Sequence, residues 1–275
     1  MNWRHKSLMR WRSAKLIMHA AISSDAIRTL EEIALNALPA FETYLFDGWL
    51  LRFSEGVMRR ANSVQPLYAS TLPLADKIAD CEHAYWGRGL PTVFKLTAQS
   101  AGELLPVLVA RGYREEAHSS IYTLDALPDA PPTPSGFSLV PHPAPKSWHS
   151  AHNALHAYDA HRAYVMQTLL DRTAPPAAYA QIERDGQIVA VGTGVAERGW
   201  VGIFNVITVE AYRGQGLGRQ IVTGLLAWGQ GHGAKRSYLQ VMDDNAVALR
   251  LYTRLGFRFG YTYVYLQKQP PRASL

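Results

Sequence analysis

The stretch Tyr212-Arg213-Gly214-Gln215-Gly216-Leu217-Gly218 runs straight into the apolar-periodic segment Arg219 to Trp228. Three glycines in five residues let the backbone turn sharply and bring successive N–H groups to one point, with no Cβ in the way. A helix starting immediately behind adds its unpaired first-turn donors and the positive end of its dipole. Such a turn suits an anion, and charge-assisted hydrogen bonds of about 1.5–3 kcal/mol each would hold a diphosphate without any lysine. The spacing Gly214-x-Gly216-x-Gly218 is not the dinucleotide fingerprint, which would need glycine at Ile221, nor a P-loop, which would end in Gly-Lys-Ser/Thr.

Downstream come a β-prone run, Ser237 to Val241, then Asp243-Asp244-Asn245, then Ala246 to Tyr252 and Leu255-Gly256-Phe257. Here the chain resembles the GCN5-related N-acetyltransferase family (GNAT). Arg213-x-x-Gly216-x-Gly218 matches the family's acetyl-CoA loop, and Asn245, Ala248, Leu251, Tyr252 and Gly256-Phe257 match its "N…A…LY…GF" segment. The resemblance spans about Phe137 to Gln267. It implies an α/β chain with the mixed-sheet acyl-CoA N-acyltransferase fold, and an acyltransferase using acetyl-CoA as co-substrate.

By that resemblance, cofactor contacts are expected from Val206, Ile207, Val209, Arg213, Gly214, Gln215, Gly216, Leu217, Gly218, Arg219 and Asn245. Main-chain groups of Ile207 and Val209 would pair with the pantetheine arm, and an N–H near Val206 would face the thioester oxygen. Tyr252 is expected to protonate the coenzyme A thiolate; its bland alternative is a core tyrosine packed under Phe257. Asn245 has a helix N-cap as its alternative, and both can hold. The joint between the first two helices lines the acceptor site in the family, which makes Tyr158, Asp159, His161 and Arg162 substrate-contact candidates, with Asn205 beside them. No carboxylate lies within Trp200 to Val209. Glu197, Glu210, Asp243, Asp244 and a water chain ending on Asn205 all stay open as the route for the amine's proton.

At 275 residues and 48% hydrophobic content the chain can bury one large or two ordinary cores. Prolines 128, 131, 132 and 134 make Asp125 to Gly136 read as an extended spacer. A shift of 144 residues sets Arg111-Gly112-Tyr113 on Leu255-Gly256-Phe257 and Val93 to Leu96 on Ser237 to Gln240; a shift of 143 sets Asn62 on Asn205. Two GNAT-like domains in tandem are therefore expected: a basic extension over residues 1–21, a degenerate copy over 22–125, a linker over 126–136 and a catalytic domain over 137–275. The first copy has Ala69 to Ala75, without glycine, where the loop should be, and Leu108 in place of Tyr252. Its expected jobs are packing against the active half and shaping the acceptor entrance.

The net charge of +6 sits on residues 137–275, with 14 basic against 8 acidic side chains, while residues 18–136 carry nine against fourteen. The positive half is the one with the anion loop. A small-molecule amine that also bears a carboxylate, such as an amino acid, is favoured as acceptor over a polyamine or basic protein tail. No base-reading motif accompanies the charge, which argues against nucleic acid as a partner. No run reaches the roughly 18 apolar residues of a membrane span. Cys81, the single cysteine, suits a reducing cytoplasm and reads as a buried small hydrophobe. His149, His152 and His156 share a helix face, but nothing completes a zinc set, so no metal is expected and a solvated or half-buried face is favoured. Monomer and homodimer stay open. So does a non-catalytic acyl-CoA-binding module, which would keep the loop but not need Tyr252.

Overall fold

The computed structural model describes residues 19–128 and 136–271. Most of the basic extension and residues 129–135 of the proline-rich linker lie outside the described residues. The last part of that extension is tied down: Ala20 bridges Tyr261, and the Ala21 N–H donates to the Gly260 carbonyl oxygen at 2.6 Å.

The first half runs α1 (Ser24–Asn36), β1 (Glu42–Phe46), β2 (Trp49–Phe53), a short 3-10 turn (Arg59–Ala61), β3 (Val64–Pro66), α2 (Leu74–Trp86), β4 (Thr92–Thr97), α3 (Ala101–Ala110) and β5 (Arg114–Leu124). The second runs β6 (Phe137–Pro141), α4 (Lys146–Leu155), α5 (Ala160–Asp171), β7 (Ala177–Arg184), β8 (Gln187–Glu197), β9 (Trp200–Thr208), α6 (Leu217–Gly231), β10 (Arg236–Met242), α7 (Ala246–Arg254) and β11 (Arg258–Lys268). β4 and β10 start 144 positions apart, at Thr92 and Arg236, and β5 and β11 start at Arg114 and Arg258.

All strands join one 11-stranded sheet in the order β1-β2-β3-β4-β11-β5-β10-β9-β8-β7-β6. The order exposes an exchange. β11, the last strand of the second half, pairs with β4 of the first; β5, the last strand of the first half, pairs with β10 of the second. The exchanged strands also pair with each other along most of their length. A cut in the chain near residue 130 therefore does not fall at a cut in the sheet.

Two layers of helices cover the sheet. On one face α6 and α7 pack over Ile203, Leu239 and Val241, and α2 and α3 over Phe94, Leu96 and Val264. On the other, α1 covers an aromatic row, Phe204, Tyr238, Tyr261, Tyr263 and Tyr265, and α4 and α5 cover Tyr179 and Val191. α6 buries Leu217, Ile221, Val222, Leu225 and Leu226 on one stripe. At about 1.5–3 kcal/mol per fully buried side chain, that stripe outweighs the roughly 1 kcal/mol lost at each interior glycine of the helix. Gly192 on β8 permits the contact, since a Cβ there would stand 2.4 Å from Ile221 Cγ2.

Candidate active site

β9 departs from regular pairing at one point. Val191 faces Ile207 and Thr193 faces Phe204, so two residues of β9, Asn205 and Val206, stand against one of β8. Asn205 takes φ 54°, a left-handed value asparagine tolerates better than most side chains. On its other edge β9 pairs in parallel with β10 only from Trp200–Arg236 to Ile203–Leu239. Beyond that pair the two strands part, and the edge of β9 from Phe204 to Thr208 faces a gap.

The gap opens onto a cavity of about 490 Å³. At its head lies the glycine turn. The N–H groups of Tyr212, Arg213 and Gln220 donate to the carbonyl oxygens of Val209, Glu210 and Gly216 at 3.0–3.1 Å. Among the described residues, none of the six N–H groups between them, from Gly214 to Arg219, has an acceptor in the chain. Gly214 and Gly216 hold φ 79° and 78°, which L side chains resist, and Gly216 is the N-cap of α6. Free donors, the helix dipole and the exposed Arg213 and Arg219 make this end of the cavity an anion site. A diphosphate fits the donor set.

Tyr252 and Asn245 both border the cavity. Tyr252 is 8% exposed, its ring meets Phe257 edge-on at 6.0 Å, and burial pushes its phenol up to about 12. Its hydroxyl has no hydrogen-bond partner among the described residues. It is thus both core residue and cavity residue. Asn245 likewise does two things: its side chain caps α7, accepting from the Ala248 N–H at 3.1 Å, and it lines the cavity.

Val206, Ile207, Arg213, Gly214, Gly216, Leu217, Gly218 and Arg219 also line it, whereas Val209 and Gln215 do not. The expected use of Ile207 and Val209 as the pairing edge needs correction. The Val209 N–H donates to Val189 at 2.8 Å, so Val209, and by alternation Ile207, turn their main-chain groups towards β8. Val206 and Thr208 face the gap instead, because the extra residue at Asn205 shifts the phase by one. Thr208, Tyr212, Val247, Ala248 and Leu251 are lining residues not foreseen as site residues. Ala248 and Leu251 had been matched to the family segment, which was the available signal.

The acceptor candidates sit elsewhere. Asp159 caps α5 by accepting from the Arg162 N–H at 2.8 Å, Arg162 lies 4.9 Å over the Tyr158 ring, and His161 stands 3.5 Å from Glu55. None borders the cavity, but Tyr158 shares an apolar cluster with Ile207, on the face opposite α6. Asn205 Nδ2 donates to Thr193 Oγ1 at 3.3 Å. The four acids left open are not in the cavity either: Glu197 accepts from Asn36, Asp243 from Ser120, and Glu210 and Asp244 are exposed. His149 and His152 are buried rather than solvated; His152 stacks on Trp148 at 5.0 Å and burial lowers it to about 4. Among the described residues no group of three or more His, Cys, Asp and Glu could hold a metal. Cys81 is buried, its thiol pushed up to about 12 by desolvation.

A family model described as the C-terminal region of the probable histone acetyltransferase Rv0428c matches residues 24–266. The chain belongs to this family of GCN5-related N-acetyltransferases. This acetyltransferase is 28% identical over 236 residues to the uncharacterized N-acetyltransferase YobR of Bacillus subtilis, covering 85% of this chain and 95% of that one. It is 28% identical over 276 residues to the probable histone acetyltransferase Rv0428c of Mycobacterium tuberculosis, covering 93% and 78%. Among solved structures, a GCN5-related N-acetyltransferase from Kribbella flavida has a TM-score of 0.65 at 19% identity, covering 89% of this chain and 95% of that one. A tandem GNAT protein from the clavulanic acid biosynthesis pathway has a TM-score of 0.60 at 16% identity, covering 73% and 70%. The acetyltransferase fold and its tandem arrangement agree with the repeat seen in the strand positions. Among the described residues, no helix of the acetyltransferase is long and apolar enough to cross a membrane.

Proposed function

We propose that the protein transfers the acetyl group of acetyl-CoA to a primary amine of a small molecule, with Tyr252 as proton donor to the departing thiolate. The observation that carries this reading is the set of six unengaged N–H groups in the glycine turn of a cavity that Tyr252 also lines. Acetyl-CoA, when bound, supplies an acetyl group activated as a thioester. The turn from Gly214 to Arg219 would hold the diphosphate, Arg213 and Arg219 would add charge, and Asn245 would contact the cofactor from the α7 side. The gap-facing edge at Val206 and Thr208 would pair with the amides of the pantetheine arm, and the Val206 N–H would serve as donor to a developing oxyanion.

Burial keeps the Tyr252 phenol protonated through the physiological range, so the group arrives with the proton it has to give. The acceptor would enter from the opposite face, past Asn205 and the joint formed by Tyr158, Asp159, His161 and Arg162. A cytoplasmic setting, with no nucleic-acid or membrane partner, completes the reading.

Thiol release from acetyl-CoA across a panel of amines tests it. Tyr252→Phe should lower kcat about 100-fold while acetyl-CoA still raises the melting temperature as in the parent. Unchanged turnover in that variant removes Tyr252 from the reaction.

A further inference from the structure

The loop between β2 and β3, from the half without the glycine turn, reaches across to the acceptor face of the other half. Val57 and Met58 pack into the cluster that holds Tyr158 and Ile207, and Glu55 meets His161. Arg60, two residues after Met58, differs from its neighbour Arg59. Arg59 pairs with Glu116 at 3.3 Å. Arg60 has no acidic partner among the described residues; its guanidinium lies 5.1 Å from the Phe204 ring centroid, and its Nε is buried with no acceptor. Phe204 is the first residue of β9 past the last pair with β10.

A second orphan donor stands in the same aromatic row. Gln240, one residue past Leu239 on β10, accepts from the Tyr263 hydroxyl at 2.9 Å through Oε1, while its Nε2 is buried without a partner. Two cations stand close to Arg60. Burial lowers Arg52 to about 10 and lowers Lys95, and repulsion from Arg60 adds to both shifts. The acid among them, Glu31, is taken: Lys95 donates to it at 2.6 and 2.7 Å and the Tyr261 hydroxyl at 2.6 Å. Arg52 spends its guanidinium on the carbonyl oxygens of Arg60, Leu35 and Leu38. Positive charge is thus left uncompensated where the strands part, and an unpaired buried donor is costly until something accepts from it.

We propose that Arg60, with Gln240, binds a carboxylate of the acceptor, so that the acceptor is an amine carrying a carboxylate and its specificity is set by a residue of the half that lacks the anion turn. This deepens the acetyl-transfer reading and rests on it. A basic peptide tail, the acceptor suggested by the name of the Mycobacterium tuberculosis relative, would meet this positive cluster with like charge.

The experiment compares amino acids with their decarboxylated counterparts, such as phenylalanine with 2-phenylethylamine and leucine with 3-methylbutylamine, in thiol release by the parent, Arg60→Gln and Arg60→Lys. The parent should prefer the carboxylate member of at least one pair. Arg60→Gln should lower kcat/KM for that member about tenfold to a hundredfold, mainly through KM, and leave both the decarboxylated amine and the acetyl-CoA-induced rise in melting temperature unchanged. Arg60→Lys should recover part of the preference, as a point charge without the guanidinium fork. A parent that prefers decarboxylated amines or lysine-rich peptides, or an equal loss on both members of each pair, overturns the assignment while acetyl transfer stands. If acetyl-CoA does not raise the melting temperature of the parent, the acetyl-transfer reading and this inference fall together.

Discussion

The two halves carry matching clefts whose loop donors are engaged differently. In the second half the turn at Gly214 to Arg219 borders a cavity of about 490 Å³, and its N–H groups have no acceptor in the chain among the described residues. In the first half the matching cleft is about 510 Å³, lined by Trp49, Ala69, Ser70, Leu72 and Leu74 among others. Two of its loop N–H groups are already used. The Thr71 and Leu72 N–H groups donate to the Asp47 carboxylate at 3.0 Å, the Thr71 hydroxyl at 2.8 Å, and the buried Lys77 ammonium stands 3.1 Å away. Asp47 sits in the turn between β1 and β2, with Gly48; Asp185 and Gly186 form the equivalent turn between β7 and β8, also in the left-handed region, yet Asp185 is exposed. One aspartate on a hairpin thus supplies an anion to the Thr71 and Leu72 donors of its half. A cleft can be kept in shape after its ligand is lost if a side chain takes the ligand's hydrogen bonds.

The largest expected effect falls on the open cleft. Gly216→Asp forces an L side chain into φ 78° and places a carboxylate among the donors. It should abolish the rise in melting temperature given by acetyl-CoA, with no binding left in calorimetry, because the first-half loop, Ala69 to Ala75, has no glycine turn to substitute. Residual binding of one equivalent would break the comparison. Next come the two residues at matched positions on α3 and α7. Leu108, 0% exposed, is packing alone, so Leu108→Ala should cost about 2–5 kcal/mol in denaturant unfolding and leave KM for acetyl-CoA unchanged. Tyr252→Phe should do the reverse, with stability held within about 1 kcal/mol and turnover lost.

Sequence disclosed these halves unequally, for physical reasons. The glycine turn and the Asn245 to Phe257 segment are local: glycine at a fixed spacing before an apolar helix has few other uses, and the cavity is lined by the turn residues except Gln215 and by Asn245, Ala248, Leu251 and Tyr252 of the segment. The strand exchange is not local. β5 and β11 are equivalent copies with similar alternation, so each could close its own sheet or its partner's, and only the assembled sheet decides. The phase of β9 past Asn205 differs by one residue from the expected pairing edge at Ile207 and Val209, because the bulge leaves no mark in the hydrophobic pattern. Asp47-Gly48 carries the residue types of any hairpin turn, and no spacing rule connects it to Thr71 and Leu72. Arg60 belongs to a half whose own site is silent, and its link to Phe204 exists only in three dimensions.

The smallest effect tests Asp47 itself. Hydrogen bonds from the Leu72 N–H and the Thr71 hydroxyl, with Lys77 beside them, hold its carboxyl well below the usual carboxylate range. A depressed folded-state value means the stabilisation is complete above the unfolded value of about 3.9 and is lost as pH falls through and below it. Asp47→Asn keeps one acceptor oxygen but removes the charge facing Lys77, so its melting temperature at pH 7 should lie a few degrees below the parent's. As pH is lowered below about 4 the unfolded parent takes up a proton at Asp47 while the folded parent stays ionised, so the parent loses stability and the gap between the two should narrow. Asp185→Asn, at the exposed counterpart, should match the parent at every pH. A gap between parent and Asp47→Asn that stays constant from pH 7 to pH 3 would mean that Asp47 acts through turn geometry alone, and the reading of it as a built-in anion would fail.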